Sequence, residues 1–424
     1  MMNTVEAAPE KELILQSKPA FTDKKYLTTL IFVTSLFMFW GIAITMGDIL
    51  NRHFQHTLSL SKAQSAFVQF AIFGAYFVMG IPAGLFMKRY GYKNGVILGL
   101  SLFALGAFLF VPAANAASFS FFGVALFILG CGLSTLETVA HPFMASLGDQ
   151  RTSDQRVNFA QAFNALGTII GPAIGTYFLL RHNTSGSTDL GSVKSLYMAI
   201  GGTIALIAIG FSFVKVPPLG NYVQLPEQEQ GGHSFANYTQ KRLFQHRHFR
   251  WAIAAQFFNV AAQGGIWAFF INYGHEEMGF PEDTAGSYMI IFMSLMLGGR
   301  FVGTFLMRYT KPYTLLAAFA FANILMCMLV AQGAGWISFA ALLATNFFIS
   351  IMFPTIYSLG IKNLGNQTQQ ASSFISMGVV GGALFPLLMG KAADMFNIAE
   401  AFYLPIICYT VIFLFGFKFY KVVD

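Results

Sequence analysis

The sequence predicts an all-α membrane protein, with twelve transmembrane helices in two pseudo-symmetric six-helix bundles. Three observations carry the prediction. The chain of 424 residues is 55% hydrophobic and only 10% charged, whereas soluble domains typically carry about 25% charged residues. Its apolar residues gather in runs of roughly 20, the length needed to cross the hydrocarbon core as a helix. Short patterns in the first half also return, in the same order, in the second half.

Twelve runs qualify as spans: 26–50, 64–87, 94–114, 117–147, 158–180, 195–215, 249–273, 285–307, 312–332, 335–361, 371–392 and 399–420. A polar stretch over 216–248, rich in Gln, His, Pro and Gly, divides six from six. The expected organisation is a tail (1–25), a first bundle (26–215), a linker (216–248) and a second bundle (249–424). The tail mixes Glu6, Glu10 and Glu12 with Lys11, Lys18, Lys24 and Lys25. It lacks the apolar core of a signal peptide and reads as a cytoplasmic tail.

Charge sets the orientation. With the N-terminus inside, most of the 25 Lys and Arg fall in inside loops, leaving Arg52, Lys62, Arg181, Lys194 and Lys391 outside. Cytoplasmic loops carry such an excess, so both termini are expected inside a cell (inner) membrane crossed many times. The net charge of +7 follows from this bias and does not indicate nucleic-acid binding. Cys131, Cys327 and Cys408 lie in apolar runs with no disulfide or metal spacing. No cofactor and no metal site are expected. No phosphate-binding loop is present, which argues against ATP-driven transport by this chain alone.

The repeats are specific enough to align the halves. Gly80-x3-Gly84 before Arg89-Tyr90 returns as Gly299-x3-Gly303 before Arg308-Tyr309. Pro142-x3-Ser146-Leu147-Gly148 returns as Pro354-x3-Ser358-Leu359-Gly360, and Phe163-x3-Gly167-x3-Gly171 as Phe374-x3-Gly378-x3-Gly382. Parallel six-helix repeats place a substrate site between the halves near mid-membrane and transport by rocking one half on the other. The glycines themselves suit close helix packing.

Three charges, Asp48, Glu137 and Arg300, are read as lying inside the membrane part, where a charge is costly and usually functional. Asp48 either reaches water at the outer end of the first span or lines a cavity if the helix runs past Asn51. Glu137 sits near the middle of the fourth span, with His141 one turn later on the same face. A buried carboxyl favours its neutral form, so Glu137 could carry a proton across, or it could bond a neighbouring helix. Arg300, on the eighth span, needs an acidic or a carbonyl partner, because guanidinium does not deprotonate.

Amides complete the constellation. Gln161 and Asn164 lie three apart on the fifth span. Asn259, Gln263 and Trp267 form one stripe on the seventh, and Asn346 and Ser350 pair on the tenth. Amides donate and accept, which suits sugar hydroxyls, and an aromatic face suits a pyranose ring. Trp40 could face the cavity or lipid.

These residues resemble a known family, the sugar:cation symporters of the fucose permease type within the major facilitator superfamily. The resemblance rests on Gly47-Asp48-Ile49-Leu50, Leu136-Glu137-Thr138 with His141-Pro142-Phe143, and Asn158-Phe159-Ala160-Gln161-Ala162-Phe163-Asn164. In the second half it rests on Phe258-Asn259-Val260-Ala261-Ala262-Gln263, on Gly299-Arg300-Phe301-Val302-Gly303-Thr304, and on the stretch from Pro354 through Tyr357 to Gly365. It implies the major facilitator fold, with Asp48 as the protonation switch and Glu137 in sugar recognition and proton coupling. It also implies a cavity lined by Gln161, Asn164, Asn259 and Gln263. To these the residue pattern adds Trp267 as a substrate contact, with His141, Arg300, Asn346 and Tyr357 in structural or gating roles. One departure is the loop after Gly84, which reaches Lys88-Arg89 without the acid usual in the superfamily.

The expected function is import of a monosaccharide (hexose, deoxyhexose or N-acetylhexosamine) with a cation, a proton first, by alternating access. Sodium at Asp48 is an alternative ion, because carboxylates also bind hard cations, and would fit a glucose/galactose-type symporter. Rival readings are a proton-driven exporter of amphipathic compounds and a membrane enzyme using Glu137 and His141 as an acid–base pair. The expected partners are a monosaccharide, the coupling ion and membrane lipid, with the protein itself a monomer.

Overall fold

The computed structural model describes residues 20–57, 62–116, 118–175, 191–216 and 242–422. Most of the tail, most of the linker, and Arg181 lie outside them. The first span is a helix over Leu27–Thr57, the fourth Phe119–Ser146, the fifth Ser153–Gly175 and the sixth Gly191–Phe213. The seventh is Arg247–Glu276, the eighth Glu282–Leu306 and the ninth Pro312–Val330. Starts follow local chemistry. The Ser118 hydroxyl accepts from the backbone N–H of Phe121 at 3.4 Å, and Pro312 occupies a first-turn position where its missing N–H costs nothing.

The second and third spans are two helices within Lys62–Asn115 that turn at Gly91, in the expected gap, with φ +82, a conformation glycine adopts without penalty. The structure differs from the predicted boundaries at the tenth, eleventh and fifth spans. The tenth span breaks into Trp336–Ile349 and Met352–Gly360. The eleventh breaks into Thr368–Met377 and Gly381–Met395 around a 3-10 turn, Gly378–Val380. The twelfth covers Glu400–Phe419 and ends in a π turn.

The fifth helix begins at Ser153, ahead of the expected start at 158, and so takes in Asp154 and Arg156, which fall outside the predicted span. Arg156 is fully buried. Its guanidinium donates to the carbonyls of Phe21, Met144, Ala145 and Asp149 and to Thr152 Oγ1, at 2.6–3.2 Å. Hydropathy scores such a residue as a loop cation. Five oxygens make it a structural pin.

Among the described residues, every predicted span lies in a helix long and apolar enough to cross a membrane, except the fifth and seventh. The seventh carries an amide stripe, Asn259 and Gln263, which lowers its hydropathy.

Packing repeats across the halves. Span 1 lies on span 5 and span 7 on span 11, both through glycine. A Cβ on Gly41 would fall 2.1 Å from Asn164 O, and one on Gly381 would fall 2.3 Å from Phe257 O. Span 3 lies on span 6 with Phe110 stacked on Tyr197 at 3.8 Å, and span 9 lies on span 12. Between halves, span 2 meets span 11 and span 5 meets span 8, one pairing related to the other by the repeat.

Candidate functional site

Glu137 is 2% exposed in the middle of span 4. At about 1.5 Å per residue it lies roughly 14 Å along the helix from Ser146. Trp40 Nε1 donates to Tyr76 Oη at 3.2 Å, and the Tyr76 hydroxyl bonds the Glu137 carboxyl. Glu137 Oε1 has no partner among the described residues. Trp40, left open by the sequence, is therefore buried against the site and does not face lipid.

The first helix does run past Asn51, as a cavity-lining Asp48 requires. The Asp48 side chain lies outside the described residues. Its backbone is roughly 32 Å along the helix from Leu27. Because Thr22 Oγ1 donates to Leu147 O at 2.7 Å, spans 1 and 4 share this starting level, and Asp48 stands well beyond Glu137.

His141 links the halves. Its Nδ1 lies 2.9 Å from the backbone oxygen of Glu137, and its Nε2 lies 2.9 Å from Gln161 Nε2. The ring stacks on Tyr357 of span 10 at 4.3 Å and stands edge-on to Phe37 and Trp40. Arg300 crosses from span 8. Its Nη1 donates to Gln161 Oε1 at 2.9 Å, to Asn164 Oδ1 at 3.4 Å and, in a short contact, to Gln161 O. Its Nε donates to Ser350 O at 3.2 Å. Of the two partners the sequence left open, the structure shows carbonyl and amide oxygens.

On span 7, Asn259 is 1% exposed with both amide atoms unpaired, and Gln256, one turn earlier, is the same. Gln263 is half-buried on the same stripe. Trp267 Nε1 donates to Asn346 Oδ1 at 3.0 Å, and Asn346 Nδ2 donates to Phe292 O at 2.8 Å. That fixes the Trp267 ring in place. Tyr357 bonds Ser372 and Ser376 of span 11.

The sequence reading missed the groups that join the halves at the end where Lys and Arg collect, here called the basic face. Asp154 takes Lys362 in a short ion pair and accepts from Ser358 Oγ at 2.5 Å. Asn158 Nδ2 donates to Thr355 Oγ1 at 3.2 Å, Gln155 Nε2 to Met307 O at 3.0 Å, and Gln150 Nε2 to Asn363 Oδ1 at 3.3 Å. Deeper, beside Glu137, Ser372 Oγ bonds Thr138 O across the halves. The repeat containing Ser358 was visible in the sequence, but its partner acid was not.

The model of the Major Facilitator Superfamily matches residues 27–386. The chain belongs to the major facilitator superfamily. Its fold is that of the superfamily, all-α with twelve spanning helices in two pseudo-symmetric halves. Among superfamily members it is 37% identical over 418 residues to the L-fucose-proton symporter of Escherichia coli, covering 94% of each chain. It is 34% identical over 400 residues to a glucose/galactose transporter of Brucella abortus, covering 93% of this chain and 95% of that one. A crystal structure of the E. coli fucose:proton symporter superposes with a TM-score of 0.83 at 36% identity, covering 94% of this chain and all of the other.

Proposed function

We propose that this protein is a secondary symporter that imports a monosaccharide with a proton by alternating access. The observation that carries the reading is the pair of buried, incompletely satisfied groups, Glu137 on span 4 of one half and Asn259 on span 7 of the other, in a chain 37% identical to an L-fucose-proton symporter along nearly its full length. The units that rock are the bundles 26–215 and 249–424, with both termini on the cytoplasmic side of the cell membrane and the basic face inward. The contacts between Asp154, Ser358 and Lys362 close that face, so the resting form opens outward.

Asp48 and Glu137 are the coupling groups. The sugar is held by Glu137, Gln161, Asn164, Asn259, Gln263 and Trp267. A sugar hydroxyl supplies the partners that Glu137 Oε1 and the Asn259 amide lack, and the fixed Trp267 ring offers an apolar face. Neutralising Asp48 permits closure over the sugar. The protein works as a monomer in lipid.

The enzyme reading has no geometric support. His141 meets the backbone oxygen of Glu137, so the two side chains form no acid–base pair. A sodium-coupled, glucose/galactose-type symporter is the second reading, favoured by the Brucella relative.

The test is reconstitution in liposomes, with hexoses screened by competition under separately imposed proton and sodium gradients. Proton-driven accumulation of one sugar is expected. Accumulation that follows only the sodium gradient would select the second reading, and movement of no sugar would remove both. Asp48→Asn is expected to lose uphill uptake and keep sugar exchange. Unimpaired accumulation in that variant would take Asp48 out of the coupling role.

A further inference from the structure

Arg300, Gln161 and His141 form a chain whose donor and acceptor roles can be read outward from one fixed end. Guanidinium only donates. With Arg300 Nη1 at 2.9 Å from Gln161 Oε1, the Gln161 amide cannot flip without placing its NH2 against another donor. Gln161 Nε2 therefore points at His141 Nε2, 2.9 Å away, and donates to it. At the other side of the ring, the Glu137 backbone oxygen only accepts, so His141 Nδ1 carries the hydrogen. Both ring positions are satisfied only by the neutral Nδ1–H tautomer. A second ring proton would sit on Nε2 and meet the Gln161 NH2 head-on.

We propose that His141 is a further proton-binding site in this protein, in addition to Asp48 and Glu137, closed while Arg300 of span 8 holds Gln161 of span 5 and opened when that contact parts. The contact crosses between the halves. Once Arg300 withdraws, the amide can turn its oxygen toward the ring, and His141 Nε2 can take a proton and donate back. Arg300 and Gln161 are then positioning residues that tie a protonation step to the relative motion of the two bundles.

The other groups around the ring are consistent with this assignment. Glu137 turns its carboxyl toward Tyr76 of span 2 and offers His141 only a backbone oxygen. Tyr357 of span 10 lies against the ring face, with its hydroxyl held by Ser372 and Ser376. Phe37 and Trp40 of span 1 and Phe353 of span 10 complete the surround without titrating. Arg300 is the cation whose charge acts on the ring. The inference rests on the proton-coupled reading for its purpose, though its geometry does not depend on it.

Trp40 reports the event directly, because its ring stands edge-on to His141 with centroids 5.9 Å apart and a protonated imidazole quenches indole fluorescence. The contribution of Trp40 is the emission of each protein minus that of its Trp40→Phe counterpart, in purified protein without sugar or gradient. Between about pH 8 and pH 5.5, the range spanning ordinary imidazole titration, this contribution is expected to stay flat in the parent. In Arg300→Gln it is expected to fall on acidification, and the fall should vanish in Arg300→Gln with His141→Gln. Gln161→Glu gives an independent arm. A carboxylate accepts from both Arg300 and His141 Nε2–H, so the Trp40 emission should already be quenched near neutral pH. A contribution that stays pH-independent in Arg300→Gln and unquenched in Gln161→Glu overturns the proposal, as does a fall that survives His141→Gln. Because the readout needs no substrate, failure here leaves the symport reading standing, and failure of the liposome screen leaves this result interpretable.

Discussion

The basic face pairs its buried charges, whereas at the centre of the membrane one buried acid is left half-paired. At the basic face, Arg156 meets five oxygens and Asp154 takes both Ser358 and Lys362. Deeper in, Glu137 keeps one oxygen unpaired, and Gln256 and Asn259 keep both amide atoms unpaired. An orphaned buried polar group costs about 1–3 kcal/mol, so a fold bears several together only where something else makes use of them. Among the described residues, orphaned atoms also occur at Thr34, Ser134, Thr138, Asn158, His248, Asn323 and Tyr409. Spans 4 and 7 differ in carrying a buried carboxyl and two amides with both polar atoms unpaired, groups suited to hydroxyl ligands.

That contrast can be broken at either end. The largest effect is expected at Arg156→Met, which would strip the donor from four carbonyls and a hydroxyl. At about 1–3 kcal/mol per orphaned group the folded yield and the thermal midpoint in detergent should fall sharply. A midpoint equal to the parent would mean that the five contacts carry no stability.

Asp154→Asn comes next. Removing one partner of a largely buried pair is costly, on the order of 3–5 kcal/mol when both groups are fully buried, and less here because Lys362 is 26% exposed. The expected result is a looser basic face. In a background free of native cysteines, Thr355→Cys should react faster with an impermeant thiol reagent applied from that face, and Asp154→Lys with Lys362→Asp should restore slow labelling. Labelling unaffected by Asp154→Asn would show that the pair does not hold the face shut.

The smallest stability effect is expected at Asn259→Leu, where an orphaned amide gives way to an apolar group of similar size. Such exchanges are near neutral or mildly stabilising, so the thermal midpoint should hold or rise while sugar affinity falls. A clear loss of stability would place Asn259 with the structural set.

Much of this arrangement was legible before any coordinates. Span count and the two-half plan follow from apolar runs and repeats, because the bilayer requires helices of nearly fixed length. Glu137 stood out because a carboxylate in an apolar run has few bland explanations. Asp154 and Arg156 did not, because residues near a span end look like loop charges until a partner or a set of carbonyls from elsewhere in the chain is in view. Gln256 shared the stripe of Asn259 and Gln263 one turn earlier, and the helical period alone could have included it. The link from Arg300 to Gln161 was out of reach, because a sequence says which group needs a partner and not which helix brings it.

The most direct measurement is sugar affinity and thermal midpoint taken together on Glu137→Gln. The substitution keeps the shape, removes a buried carboxyl with an unpaired oxygen, and takes away a charge-assisted contact to the sugar. Such contacts contribute about 1.5–3 kcal/mol, or roughly ten- to a hundredfold in affinity. The expected result is a loss of that size with a midpoint equal to or above the parent. Unchanged affinity with a lowered midpoint would contradict it, and would place Glu137 with Arg156 as part of the scaffold.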